Sequence, residues 1–253
     1  TTCKPGQVHA YVEVSGRYMA ACARDPMAVV AMFSDTLSYL VGVEPERVQV
    51  SRIDLFADVE VDTPLGLYDL ERFVSRARSR AVYLDGSHQL DAPAASCGAA
   101  QGDPLTGNTG VAMHEVPAYE VHPVEVHYRG PHWSGFRFGS GDLLARIYSK
   151  TIQARTDYGA KLTLAGHGNP EGHVIRVEFQ IRGDALATMD VGAGDLRNWN
   201  TLAEHLPAIW RYLTGSWLSL REASDTETIR NRPLDPLWGL VLSAFDAPDS
   251  AST

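Results

Sequence analysis

The sequence predicts an α+β fold in which an antiparallel β-sheet carries helices on one face and a functional surface on the other. Three stretches of two-residue alternation carry that expectation, because side chains flip face at every residue of a strand. From Ser51 to Val61, Ile53, Leu55, Ala57, Val59 and Val61 share one side, and Arg52, Asp54, Phe56, Asp58 and Glu60 share the other. Between 145 and 150, Ala145, Ile147 and Ser149 oppose Arg146, Tyr148 and Lys150. From His173 to Arg182, Ile175, Val177, Phe179 and Ile181 oppose Arg176, Glu178, Gln180 and Arg182. One apolar face per strand suits helices packed on one side of an antiparallel sheet.

Taken in order, Gln7 to Ser15 alternates as a strand and stops at Gly16. Asp25-Pro26 reads as an N-cap followed by proline at the first helical position. The helix it opens repeats Val29, Val30, Phe33, Leu37, Leu40 and Val41 at helical spacing and stops at Gly42. The strand from Val48 to Val61 ends at Thr63-Pro64. A helix is predicted from Leu67 to Arg80, with Leu67, Leu70, Val74 and Ala77 inward, then a short strand from Ala81 to Leu84. From 85 to 115, Gly, Ala, Pro, Ser and Asp without periodicity indicate a long loop insertion. Val121 to Tyr128 and Gly135 to Phe138 read as strands split by a turn at Gly130-Pro131, and Gly139-Ser140-Gly141 leads into the Tyr148 strand. Thr151 to Leu162 reads as helix and Gly166 to Gly172 as a turn-rich connection. The part from 185 to 245 is expected to be mainly helical. There Thr201–Glu204 forms a capping box, and Pro207 interrupts a helix running through Trp210, Leu213, Trp217 and Leu220. Pro233 to Leu242 is expected to pack back as a short apolar segment. The whole, residues 1–253, is expected to form a single domain.

A chain of 253 residues can bury a substantial core, and 44% hydrophobic with 21% charged residues is ordinary for a soluble globular protein. No apolar run approaches a membrane span, so no membrane partner is expected. The opening Thr1-Thr2-Cys3-Lys4-Pro5 has neither an initiating Met nor a signal-peptide core, which reads as a processed or trimmed chain. Cys3, Cys22 and Cys97 are odd in number and widely spaced, which argues against a disulfide framework or Cys-rich zinc site and fits a reducing cytosol. The net charge of −9 is unlike that of a uniformly basic nucleic-acid binder. Charge acts locally, however, and Arg72, Arg76, Arg78 and Arg80 form a basic run without an acid among them. It suits either a phosphate-binding face or a solvated helix face.

Tyr148 is the candidate nucleophile. A phenol with a free pKa of about 10 is mostly protonated at pH 7, and Arg146 and Lys150 on the same strand face would favour the phenolate and neutralise a phosphate. Carboxylates converging from other strands beside those cations suit a divalent ion, which polarises a scissile phosphate while the tyrosine attacks. A cross-strand ion pair is the plainer account of any one of these acids. Their joint placement beside one cation-framed tyrosine favours catalysis.

The stretches Val50–Asp58, Phe136–Lys150 and Arg176–Gln180, with Ile209–Trp217 and Arg232–Trp238, resemble the replication initiation factor family. That family comprises rolling-circle initiators of plasmids and phages, with the related relaxases of conjugative elements. The resemblance spans most of the chain except 85 to 115. It implies a nickase and strand-transferase related to the HUH nucleases but lacking their motif, since His122 and His127 are too far apart to form the His-hydrophobic-His pair. The residue matching Tyr148 would join covalently to a 5′ phosphate and free a 3′-OH. Asp54 and Glu178 match acidic positions assigned to Mg²⁺ or Mn²⁺, with Glu13 a third ligand candidate and Asp58 left open. Arg146 and Lys150 match the flanking cations, and Arg52, Arg176 and Arg182 are assigned to DNA. Gln153 stands where relatives often carry an acid. The implied partners are single-stranded or hairpin origin DNA, a host helicase and a second copy of the chain, in a bacterial cytoplasm.

Other readings stay open at this level. Tyr158 could be a second nucleophile, though packing is the simpler role, and His167 and His173 are better read as turn residues. Gly139-Ser-Gly141-Asp142 lacks the Gly-Lys-Ser/Thr of a nucleotide loop. Trp210, Trp217 and Trp238 read as core anchors. The rivals to the nickase are a non-catalytic origin-binding or assembly protein and a metal-dependent phosphodiesterase that uses water.

Overall fold

The computed structural model describes residues 49–85, 124–129, 132–156, 172–224 and 228–246, together with Glu13 and Tyr39. The strand expected over Gln7–Ser15, the helix up to Gly42, the insertion at 85–115 and the residues around Tyr158 and His167 lie outside the described set, apart from isolated positions. The chain divides into two compact units, Thr1–Arg52 with Gly183–Ile209, and Ile53–Arg182 with Trp210–Thr253. The second holds every element that matters for the candidate site.

That unit is built on strands β1 (Arg52–Val61), β3 (Arg80–Asp85), β4 (Val124–Arg129), β5 (His132–Ser140), β6 (Leu143–Ser149) and β7 (His173–Arg182). They form one six-stranded sheet in the order β1-β7-β6-β5-β3-β4. The pairs β3–β5, β5–β6 and β6–β7 are antiparallel, as expected, whereas β3–β4 at one edge is parallel. The strands β4 and β5 flank β3 instead of pairing with each other.

One face of the sheet is the core. Ala145 and Ile147 of β6, Phe136 and Phe138 of β5, and Ile175, Val177, Phe179 and Ile181 of β7 are fully or almost fully buried. Aromatic residues from the C-terminal part close over it. Phe179 meets Trp210 edge-on at 5.5 Å and Trp217 at 6.1 Å. A hydrogen-bond acceptor offsets the desolvation of a buried indole N–H. Trp210 Nε1 donates to the Val241 carbonyl and Trp238 Nε1 to the Thr214 carbonyl, both at 2.7 Å. Tyr212–Trp217 is a π-helical turn between α4 (Leu206–Arg211) and β8 (Leu218–Leu220), and such a turn leaves carbonyls available to side-chain donors. The three tryptophans are core anchors, as the sequence suggests.

The helix expected over Leu67–Arg80 does not form. Leu67–Arg72 is a 3₁₀ helix, Phe73–Ser75 is strand β2, and β2 pairs antiparallel with β8. The reason is tertiary. Phe73 is 2% exposed and lies against Phe136, Phe138 and Trp238, so an extended backbone serves it better than a helical one. Leu67, expected inward, is exposed, whereas Ala77 is buried. The basic run is consequently dispersed. Arg72 binds Asp69, Asp235 and the Arg221 carbonyl, Arg76 and Arg78 are exposed, and Arg80 lies 5.9 Å from the Phe138 ring, where burial lowers its pKa.

Between β5 and β6 the chain reverses through Gly139 and Gly141, with φ of 81° and 75°. A Cβ on Gly139 would sit 2.5 Å from the Leu143 carbonyl oxygen, so this turn requires glycine on both steric and conformational grounds. In the first unit, α2 (Gly183–Thr188) and α3 (Trp199–Glu204) carry the buried Leu186 and Leu202. The cap of α3 is Asn198, whose side chain accepts the Thr201 N–H; Thr201 lies inside the helix and is not its cap. Pro207 does restart the chain as α4, and Pro236 opens α5 (Pro236–Ser243) behind the Asp235 cap. Among the described residues no helix is long and apolar enough to cross a membrane.

Candidate active site

The site lies on the sheet face opposite the aromatic core. Register places it: on β6, Tyr148 stands opposite Arg176 of β7 and Gly135 of β5, and Arg146 stands opposite Glu178 and Arg137. Tyr148 Oη donates to Glu178 Oε2 at 3.1 Å, and Arg146 donates to the other carboxylate oxygen, Oε1, at 3.1 Å. Arg176 makes a bidentate pair with Asp58 of β1, with two bonds of 2.6 Å. Its guanidinium also lies 3.9 Å from the Phe56 ring centroid. Alternation within β1, β6 and β7 thus brings Asp58, Arg176, Glu178, Tyr148 and Arg146 together from three neighbouring strands.

Two features differ from the expected arrangement. Lys150 does not continue the strand: β6 ends at Ser149, and Lys150 opens helix α1 (Lys150–Thr156). Ser149 stabilises the change, its Oγ accepting the Ile152 N–H at 3.2 Å as a side chain does at a helix start. Lys150 is buried, donates to Gln153 Oε1 at 2.8 Å, and keeps its ammonium 5.8 Å from the Tyr148 ring centroid. Gln153, one turn into the helix, supplies the amide oxygen that holds this lysine. Second, the polar face of β7 is not fully open, since Arg176 and Gln180 are buried while Arg182 is exposed.

These features change the electrostatics. The Tyr148 phenol is pushed well above its ordinary value, first by burial and next by the negative charge and hydrogen bond of Glu178; Arg176 opposes this but does not prevail. Flanking cations therefore do not hold Tyr148 as a resident phenolate, and Glu178 accepts the hydrogen bond of the protonated phenol. For Arg176, burial alone would lower the pKa, but Asp58 and then Tyr148 raise it, so this guanidinium stays charged.

The remaining sequence candidates are distributed as follows. Asp54 is exposed on β1, on the face of Phe56 and Asp58 by alternation. Arg52 and Arg182 are exposed at the ends of β1 and β7. Glu13 is exposed and belongs to the first unit. A divalent ion held by Asp54, Glu178 and Glu13 would need a convergent set of oxygen donors. Among the described residues, no three His, Cys, Asp or Glu side chains are grouped so as to hold a metal, and Glu178 and Asp58 are already engaged by arginines. The described donors do not complete such a site.

Three residues of the site escaped the sequence reading: Phe56 as the surface under Arg176, Arg137 beside Arg146, and Gly135 beside Tyr148. A Cβ on Gly135 would meet the Ile147 carbonyl oxygen at 2.9 Å and Tyr148 Cβ at 3.0 Å. Glycine there is what lets β5 approach the tyrosine. Comparison of this chain with family models, curated proteins and solved structures finds no match.

Proposed function

We propose that the protein is a DNA nickase and strand-transferase in which Tyr148 attacks a phosphodiester, as in the initiators of rolling-circle replication and the relaxases of conjugation. The observation that carries the proposal is the Tyr148–Glu178 hydrogen bond of 3.1 Å on the polar face of the central sheet. A tyrosine nucleophile needs a base within hydrogen-bond reach, and a carboxylate at this distance meets that geometry. Tyr148 Oη would bond to phosphorus as the P–O3′ bond breaks. The phenol proton passes to Glu178 and finally resides on the released 3′-OH, leaving a 5′-phosphotyrosine. Arg146, 41% exposed at its side chain, and Arg137 beside it supply positive charge for the phosphate oxygens. Arg176 is committed to Asp58 and serves to position Tyr148 and β1.

The same reading brings single-stranded or hairpin origin DNA as substrate, a host helicase and a second copy as partners, and the bacterial cytoplasm as setting. A second reading has its own support. Burial and Glu178 keep the Tyr148 phenol protonated, which equally suits a polar ladder that fixes the sheet in a non-catalytic origin-binding protein.

The test incubates the protein with single-stranded oligonucleotides tiling the DNA around its own gene, with Mg²⁺ or Mn²⁺, and resolves products on denaturing gels. A protein–DNA adduct lost in Tyr148→Phe is expected. Cleavage without an adduct indicates a hydrolase, and binding without cleavage indicates the ladder.

A further inference from the structure

Phe56 is 37% exposed on the sheet face that carries Tyr148, yet its ring is not loose. The Arg176 guanidinium lies 3.9 Å from its centroid, and both bonds from Asp58 hold that guanidinium in place. Cation–π attraction and a bidentate carboxylate therefore fix an aromatic ring on the surface, with its outer part open to solvent. A ring immobilised beforehand loses little further rotamer freedom when a flat ligand settles on it. The strands β1 and β6 flank β7, so Phe56 and Tyr148 lie two strand spacings apart, at least about 10 Å across the sheet. A nucleotide next to the attacked phosphate can span that separation. The acids on the same face, Asp54 and Glu60, disfavour a phosphate at Phe56 and favour the uncharged base, whose amino groups they can accept.

From this arrangement we propose that Phe56, backed by Arg176, is a stacking platform for an unpaired nucleobase adjacent to the scissile phosphate. The proposal rests on the nickase reading, since it takes single-stranded DNA as the ligand of this face. It implies that part of the binding free energy comes from bases and not from phosphate charge, which suits a protein of net charge −9.

The test is fluorescence anisotropy with two labelled probes: d(A)12, and a twelve-residue abasic oligonucleotide with the same phosphates and no bases. Wild type, Phe56→Leu and Phe56→Trp are compared. The expected result is that Phe56→Leu weakens d(A)12 binding about tenfold, the scale of one base–aromatic stack, while leaving the abasic probe unchanged. Phe56→Trp should bind d(A)12 at least as tightly as wild type, showing that the site accepts any aromatic plate. If wild type prefers d(A)12 over the abasic probe and Phe56→Leu keeps that preference, the platform lies elsewhere and the proposal fails while the nickase reading stands. If wild type binds neither probe, nor single strands from its own origin, both fail together.

Discussion

Replacing Asp58 by asparagine probes the best-defined interaction of the site. Asp58 and Arg176 exchange two bonds of 2.6 Å, and their side chains are only 8% and 11% exposed. Such a pair gains little net stability over apolar residues of the same size, but removing one partner leaves a buried charge uncompensated at a cost of about 3–5 kcal/mol. Asparagine keeps one acceptor for one guanidinium N–H, which recovers about 1 kcal/mol, so a loss of about 2–4 kcal/mol is expected. In urea, with a slope of about 2 kcal/mol/M, the unfolding midpoint should fall by about 1–2 M. Tryptophan fluorescence reports the transition, because Trp210, Trp217 and Trp238 are buried in the same unit as Asp58. The double variant Asp58→Leu, Arg176→Met should recover to within about 1 kcal/mol of wild type. A midpoint in Asp58→Asn within about 0.3 M of wild type would refute the assignment of Arg176 as a clamped, charged residue.

Glu178→Gln should lower the rate of adduct formation by about 10²–10⁴-fold, the range for loss of a general base, while shifting stability by no more than about 1 kcal/mol because Arg146 is partly solvated; nicking near the wild-type rate removes Glu178 from that role. Tyr148 has a folded-state pKa above its unfolded value of about 10, so its contribution to stability is complete below that pH and is lost only as pH rises toward the higher folded value. Absorbance at the tyrosinate band should accordingly superimpose for wild type and Tyr148→Phe through pH 10, and one extra tyrosinate in wild type near that pH would contradict the burial argument. Gly135→Ala drives a methyl group into Tyr148 and the Ile147 carbonyl, and should cost about 1–3 kcal/mol in thermal unfolding together with most of the adduct yield. An unchanged melting temperature there would show that β5 can withdraw without penalty.

The strands were legible because one face of each is uniformly apolar. Alternation alone locates β1 and β7 and assigns Ile175, Val177, Phe179 and Ile181 to the core, where all four are fully buried. The same periodicity fails at Lys150, because whether a strand continues by one residue or turns into a helix depends on Ser149 accepting the Ile152 N–H, and serine is compatible with both. It fails again over Leu67–Arg80, where apolar residues at helical spacing are overruled by the demand of Phe73 for Phe136, Phe138 and Trp238. Local propensity cannot see those partners.

At the site, the sequence identifies Tyr148, Arg146 and Glu178 as one cluster but misstates their electrostatics. Counting cations on the Tyr148 strand suggests a phenolate. Register pairs Arg146 with Glu178, and a salt bridge commits Arg176 of the neighbouring strand to Asp58, so the positive charge around Tyr148 is already largely balanced. Which acid meets which arginine is a tertiary fact, absent from any single strand. Gly135 is a similar case, since its significance lies in the absence of a side chain opposite Tyr148.

The proposed nickase chemistry requires that Tyr148 become covalently joined to DNA. Adduct formed on single-stranded origin DNA, digested with protease and nuclease and sequenced by mass spectrometry, should carry a nucleotide 5′-phosphate on the peptide containing Tyr148. Modification at Tyr158 instead, or an adduct that survives Tyr148→Phe, would contradict attack by Tyr148.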